Sequence, residues 1–425
     1  MKCSYACNSV EHQIARRKFL CGLAGGLGLV VGGLGALASP SATAQLAKNQ
    51  KRVLVVYMSG GLSQLESWDP KPKTDTGGPF RAIPTAVPGI HICELLPMTA
   101  KHMDKLAIIR SINTKNGDHG KGRYQMTHGR NQRPGVELPH LGAVFAKTLE
   151  PENFSLPGYI RVPGGGRGSD AAYLGPKYAS IGVNGQPPAN SARPDSITEA
   201  ADQQRNAFRR TVNENFAKRR RTAETSVYTN SFEQAQELMK QRDVFDVAKE
   251  PEQDHERYGK YDLGKHCLLA RRLLENGITF VQVEHSNYDT HNENFNFHLE
   301  QLGEFDRSFS TLIGDLHDRA MLDSTLVVVM SEFGRTPKIN ARYGRDHWGT
   351  AWSVCLGGCR VQPGAVIGKT NDNGTAVADG EVDHGDLFHT YLSAVGLDST
   401  DNFKAGGREL PMADPAKSPI SKLLT

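Results

Sequence analysis

A chain of 425 residues can bury a sizeable core as one large α/β domain or as two ordinary ones. Its 38% hydrophobic and 23% charged content is that of a soluble globular protein. The formal charge of +4 rests largely on the first 44 residues: losing Lys2, Arg16, Arg17 and Lys18 together with Glu11 leaves +1, so charge makes no case for a nucleic-acid partner.

Arg16-Arg17-Lys18-Phe19-Leu20 opens an apolar segment that runs to about Ala38 and holds seven glycines. Ala42-Thr43-Ala44 supplies a small-residue cleavage site before Gln45. Residues 1–44 therefore read as a twin-arginine signal peptide, with the twin-arginine export machinery as partner and a periplasmic or secreted destination. No stable membrane span is expected after cleavage; an uncleaved anchor is the competing reading, since the run approaches spanning length. Cys3, Cys7 and Cys21 lie in this leader. Cys93, Cys267, Cys355 and Cys359 are too few for a disulfide framework, and the last two, beside an apolar run, read as buried thiols rather than zinc ligands.

Residues 45–425 read as a single α/β domain. Val53–Met58 is a continuous apolar run, the pattern of a buried parallel strand, and breaks at Ser59-Gly60-Gly61 into a tight turn. An amphipathic stretch, Leu95–His102, precedes a second strand, Leu106–Arg110. The polar, glycine-rich segment Asn113–Arg123 follows as a turn before a helix, and His140–Thr148 has the spacing of another helix. Residues from Pro151 to about Arg193 read as long surface loops with strand-like fragments near Tyr159–Val162. From Asp195 to about Tyr258 helical spacing dominates, so residues 151–260 form a loop and helical insertion. The basic run Lys218–Arg221 reads as a solvated helix face. Beyond it come a helix at Leu263–Leu274, a strand at 278–284, a long amphipathic helix at Glu293–Arg319 and a strand at Leu326–Met330. A hydrophobic run at Ala351–Leu356 and a last helix at Gly385–Val395 close the chain. This alternation predicts a mostly parallel sheet.

Two constellations carry chemistry. Asp289, His291, Glu332 and His347 fall just past strand-like runs, at the edge where open α/β sheets bind ligands. Carboxylates and neutral imidazoles converging from several strand ends suit a hard or borderline divalent cation, or general acid–base work. The second is Asp118–Arg130: a glycine-flanked polar turn that presents backbone N–H groups to an anion, with Lys121, Arg123 and Arg130 adding charge. It lacks the Gly-Lys-Ser/Thr ending of a P-loop, and no Gly-x-Ser-x-Gly elbow occurs in the chain.

Leu302–Asp306, the helix to Asp318 and Leu322–Gly334 together resemble the alkaline phosphatase/sulfatase superfamily. In that pattern Glu332 stands where the superfamily has a metal-binding Asp, and Phe333 where it has a metal-binding His. Arg123, Gly129 and Arg130 match offsets of the sulfatase nucleophile motif, with His119 in the nucleophile's place. His347 is similar to a late metal-binding His, and Asp383–Leu392 to the closing helix. More closely, Gly60–Lys71, Asp289-Thr-His291, Glu332–Pro337 and Arg345–Trp348 resemble the secreted domain-of-unknown-function family 1501 within that superfamily.

The resemblance implies an alkaline-phosphatase-like core: a mostly parallel sheet with helices on both faces and a helical/loop insertion. It also implies an exported, metal-dependent hydrolase of phosphate or sulfate esters, acting on an anionic ester or a sulfated or phosphorylated polymer. Asp289, His291 and His347 would hold one divalent ion (zinc, calcium or manganese), with Glu332 as a further ligand or base. His119 would serve as nucleophile or general acid, and Arg123 would orient the anion. Three departures stand against it. No acid follows the first strand unless Glu66 or Asp69 folds back, the Asp-x-x-x-His spacing is shortened, and no Ser, Thr or Cys holds the nucleophile position. They motivate the alternative of a non-catalytic binding protein for sulfated or phosphorylated surface polymers on the same fold.

Overall fold

Arg52–Met58 (β1) is buried at every position. Leu54, Val56 and Met58 pack into one core and Val53, Val55 and Tyr57 into another, as period-two geometry dictates for a strand covered on both faces. The computed structural model describes residues 50–425 except 152–153, 155, 165–169, 189–190, 220–222 and 406. The signal peptide read at 1–44 lies outside the described residues.

The other sheet strands are β2 (Leu106–Ile112), β3 (Tyr159–Val162), β4 (Ile181–Gly182), β5 (Phe280–His285), β6 (Thr325–Met330), β7 (Trp352–Gly357) and β8 (Val366–Ile367). Their spatial order is β8-β2-β7-β6-β1-β5-β3-β4. β1 runs parallel to β5 and β6, its two neighbours. β7 is antiparallel to both β6 and β2 and is the one strand opposing the rest of this sheet. The helices are α1 (His119–His128), α2 (Leu141–Leu149), α3 (Glu199–Arg219), α4 (Ala223–Lys240), α5 (Glu252–Tyr258), α6 (Asp262–Glu275), α7 (Asn294–Asp318) and α8 (His384–Ala394). Val144 and Phe145 of α2 and Phe388 and Tyr391 of α8 fill one core. Leu269 and Leu273 of α6 and Phe305, Phe309 and Leu312 of α7 fill the other. The sheet is thus mostly parallel with helices on both faces.

Two local readings change. The strand-like fragment Tyr159–Val162 is a strand, as expected, but not at the surface: it pairs with β5 and β4, and Tyr159, Ile160 and Val162 are fully buried. The glycines of Asn113–Arg123 suggested an open turn as far as Arg123, yet α1 begins at His119. The physical reason is close packing, since a Cβ on Gly122 would come 2.8 Å from the Glu332 carbonyl. Glycine there lets the helix lie against the end of β6.

At the start of α7, Leu299 faces solvent while Asn294 and His298 are buried. His298 donates from Nδ1 to the Asn294 carbonyl (2.8 Å) and accepts the Ser63 N–H at Nε2 (3.2 Å). It thereby props the chain leaving β1. A few residues on, Glu66 and Arg345 form a fully buried ion pair (2.7 Å), and Asn294 also donates to Glu66 (3.0 Å). Arg345 further donates to the Thr336, Pro337 and Thr76 carbonyls, so this pair ties residues 336–348 to the turn after β1.

Removing one member of such a pair strands a buried charge. Glu66→Ala should cost about 3–5 kcal/mol in urea unfolding; a loss under about 1 kcal/mol would show that the pair does not hold this region. Burial depresses His298 to about 4, opposed by Glu66. Its folded pKa lies below the unfolded value near 6.5, so the unfolded chain binds more protons between the two. Stability from this residue is complete above about pH 6.5 and falls as pH drops towards 4, by about 3 kcal/mol. Burial holds His128 and His285 near 4 as well, and both add to the slope. Unfolding free energies measured across this range should decline with acid, and less steeply in His298→Gln; an identical slope in the variant would refute the assignment.

Candidate active site

The adjacent carboxyl ends of β6, β1 and β5 build the site. After β1, Gly60 (φ +116°) brings the backbone against the β5 loop: a Cβ there would lie 2.5 Å from the Asp289 nitrogen. Gly61 (φ +94°) likewise abuts the Phe333 ring. Only glycine tolerates both the dihedral and the contact. Beyond β5 the chain presents Asp289 and His291; beyond β6 it presents Glu332. Gly334–Arg335 then pairs antiparallel with His347–Trp348, which sets His347 beside the strand ends.

Three donor atoms converge. His291 Nε2 lies 2.9 Å from His347 Nε2, and each is 3.1 Å from Asp289 Oδ1. Behind them, His291 Nδ1 meets the Asp346 carboxylate (2.7 Å) and His347 Nδ1 meets the Gly117 carbonyl (2.7 Å). Both outer partners are acceptors, so each Nδ1 carries the proton and each Nε2 turns a lone pair to the centre. Outer acceptors of this kind are what fix metal-ligating histidines. His119 approaches from the other side, its Nε2 3.4 Å from Asp289 Oδ2. Around the same carboxylate, His119, Asp289 and His347 also bring donor atoms close enough to share a metal ion. The donor chemistry, imidazole nitrogens with one carboxylate, suits a borderline divalent cation such as zinc.

Glu332 is buried, and reaches this centre through His119. Its Oε1 accepts from Gly60 N–H (2.9 Å) and meets His119 Nδ1 (2.7 Å), while Ser331 donates to Oε2 (3.1 Å). The bond from Glu332 raises the His119 pKa above its ordinary value, against the cost of burial. Glu332 is held below the usual carboxylate range: burial opposes ionisation, but the His119 and Gly60 bonds outweigh it. For Asp289, burial is likewise outweighed by the Arg335 and His347 bonds, which bring it down to about 2.

Arg123 lies one helical turn beyond His119, with its terminal nitrogens engaged by Glu284 (2.8 and 3.3 Å) and Ser59 (2.7 Å), and its guanidinium 4.4 Å above the Tyr57 ring. Where a cradle of backbone N–H groups was expected, Asp118 caps α1 and takes the Lys121 N–H (2.9 Å). Arg130 turns away to donate to the Pro411 and Ala413 carbonyls. Glu66 is paired with Arg345, and Asp69 with Thr370 and Lys71, so neither folds back to supply the missing acid. Phe333, where the resemblance has a histidine, puts an apolar ring 4.8 Å from His119 and 4.4 Å from His347.

Arg335 has a part that sequence reasoning did not assign. Fully buried, it donates to Asp289 (2.6 Å), to the Gly60 and Gly61 carbonyls and to the Arg345 carbonyl. The one sequence signal was its position three residues after Glu332, in the polar segment following β6.

No curated protein matches this sequence. Among solved structures, the fold is similar to the lipoteichoic acid synthase LtaP from Listeria monocytogenes (8% identity, 87% of this chain and 76% of that one, TM-score 0.39). It is also similar to the PsFucS1 sulfatase from Pseudoalteromonas sp. (13%, 84% and 72%, 0.39) and to the alkaline phosphatase of the Antarctic bacterium TAB5 (12%, 81% and 98%, 0.36). A family model matches residues 50–424, nearly all of the described chain. The protein belongs to the family of proteins of unknown function DUF1501.

Proposed function

We propose that this protein is an exported metal-dependent hydrolase of phosphate or sulfate monoesters. One observation carries the reading: the Nε2 atoms of two imidazoles face each other across 2.9 Å, with a carboxylate oxygen 3.1 Å from both. Their tautomers are fixed from outside, so a cation between them relieves the repulsion. Asp289, His291 and His347 would hold the ion; when bound, it supplies Lewis-acid polarisation of the ester oxygens. Export rests on the twin arginines Arg16 and Arg17 ahead of the apolar, glycine-rich run.

The remaining chemistry falls to this chain's own side chains. His119, held between Glu332 and Asp289, keeps a proton at Nε2 on the side facing the centre. As water attacks the phosphorus or sulfur and the bond to the ester oxygen breaks, that proton passes to the departing alkoxide oxygen, and the proton shed by the attacking water returns to His119 Nε2. Throughout, His119 keeps its Nδ1 proton and donates it to the Glu332 carboxylate, which stabilises the imidazolium form beforehand. Arg123, steadied by Glu284 and Ser59, supplies positive charge next to His119. The departures from the superfamily pattern fit this division of labour, in which imidazole assists a direct attack by water and no Ser, Thr or Cys is required.

Purified mature protein should contain about one divalent ion per chain by elemental analysis, and Asp289→Ala should lose both the ion and turnover of phosphate or sulfate esters. Metal-free protein with undiminished turnover would refute the reading. Glu332→Gln should keep the ion yet lower kcat about 100-fold or more, the usual scale for general acid–base assistance; a kcat within twofold of the parent would remove His119 from that role. Saturable binding of a sulfated polymer without hydrolysis of any ester would instead establish a binding protein.

A further inference from the structure

The face of α1 that begins at His119 continues away from the cluster. Arg123 and Tyr124 lie one turn on, and Thr127 and His128 two turns on. These side chains look across at the sheet, where Arg161 of β3 and Gln282 of β5 stand opposite each other in register. Between helix and sheet lies a cavity of about 360 Å³, floored by Gln282 and His140 and walled by Arg123, Tyr124, His128 and Arg161.

Its polarity is specific. Gln282 is 2% exposed, and its Oε1 has no hydrogen-bond partner in the protein. A buried acceptor left in this state is costly, so the position calls for a donor from a ligand. His128 donates from Nδ1 to the Tyr124 carbonyl (3.0 Å), which leaves Nε2 as a second acceptor. Its ring stacks on Tyr124 with centroids 4.0 Å apart, making a flat aromatic wall. Arg123 and Arg161 share the carboxylate of Glu284, and Asp170 and Glu137 also line the pocket, so it offers donors and acceptors of both charges.

We propose that this cavity is a subsite for a sugar ring, and that the natural substrate is a phosphate or sulfate ester of a sugar. Ring hydroxyls donate to Gln282 and His128 and accept from Arg161, and an aromatic face receives the apolar side of the ring. The ester group then points along α1 towards His119 and Asp289. This assignment of substrate class rests on the hydrolase reading, but the binding of the sugar itself does not.

Two measurements separate them. Binding of free galactose and of free glucose to the intact mature protein, followed by saturation-transfer NMR, reports the pocket alone. Turnover of a hexose phosphate and a hexose sulfate, set against para-nitrophenyl phosphate and sulfate, reports the reaction. One of the two sugars should bind, and Gln282→Leu should weaken that binding about tenfold. For the hexose ester, KM should rise about tenfold more in Gln282→Leu than it does for the aryl ester. Gln282→Glu, which retains the acceptor, should recover most of the loss and guards against a folding defect. Sugar binding without turnover would sustain the subsite and defeat the hydrolase. Aryl-ester turnover with no binding of either sugar, or an equal KM change for both ester types, would overturn the subsite.

Discussion

Arg335 is the group on which the geometry of this site depends. Its guanidinium is wholly buried, a position that desolvation makes costly unless every donor is used. Here the donors go to Asp289, to the carbonyls of Gly60 and Gly61, and to the carbonyl of Arg345. Those partners come from three separate stretches: the turn after β1, the loop after β5, and the loop that ends at His347. Each stretch has a glycine or a buried pair that shapes it locally, and the shared cation bonds to all three at once. The Glu66–Arg345 pair extends this hold outwards, since the residue whose carbonyl Arg335 grips is itself anchored by its side chain.

The same arrangement sets the electrostatics. Asp289 shares one oxygen among Arg335, His291 and His347 and offers the other to His119. Its charge is therefore secured against protonation by a permanent cation, independently of any ion the histidines bind.

Much of the fold was legible because it follows from apolar periodicity. β1, β6 and α7 announce themselves as runs or stripes, and strand ends are where Asp289, His291 and Glu332 had to lie. His347 was legible as a late imidazole in a polar loop. The direction of β7 was not, since a hydrophobic run carries no polarity, and Trp352–Gly357 proves antiparallel to both its neighbours. The glycines between His119 and Arg123 suggested a loop because glycine is a poor helix former. The deciding contact, Gly122 against Glu332, is more than two hundred residues distant in sequence. Arg335 and Glu66 were opaque for a related reason: a charged residue reads as exposed until its partner is known, and theirs are remote.

Glu332 shows why the site departs from the resemblance as a unit. A single oxygen of this carboxylate takes both the Gly60 N–H and the His119 imidazole. The first bond holds the turn after β1, where the superfamily pattern would have an acid, and the second holds the residue in the nucleophile's place. A histidine at 119 needs an acceptor behind it to define its tautomer, and a turn of two glycines leaves room for that acceptor to reach across from β6. With Phe333 beside it in place of a ligand, no second imidazole competes for the space between His119 and His347. The missing acid, the missing hydroxyl nucleophile and the substituted histidine thus meet at one carboxylate, whose Oε1 serves both the Gly60 turn and the His119 imidazole.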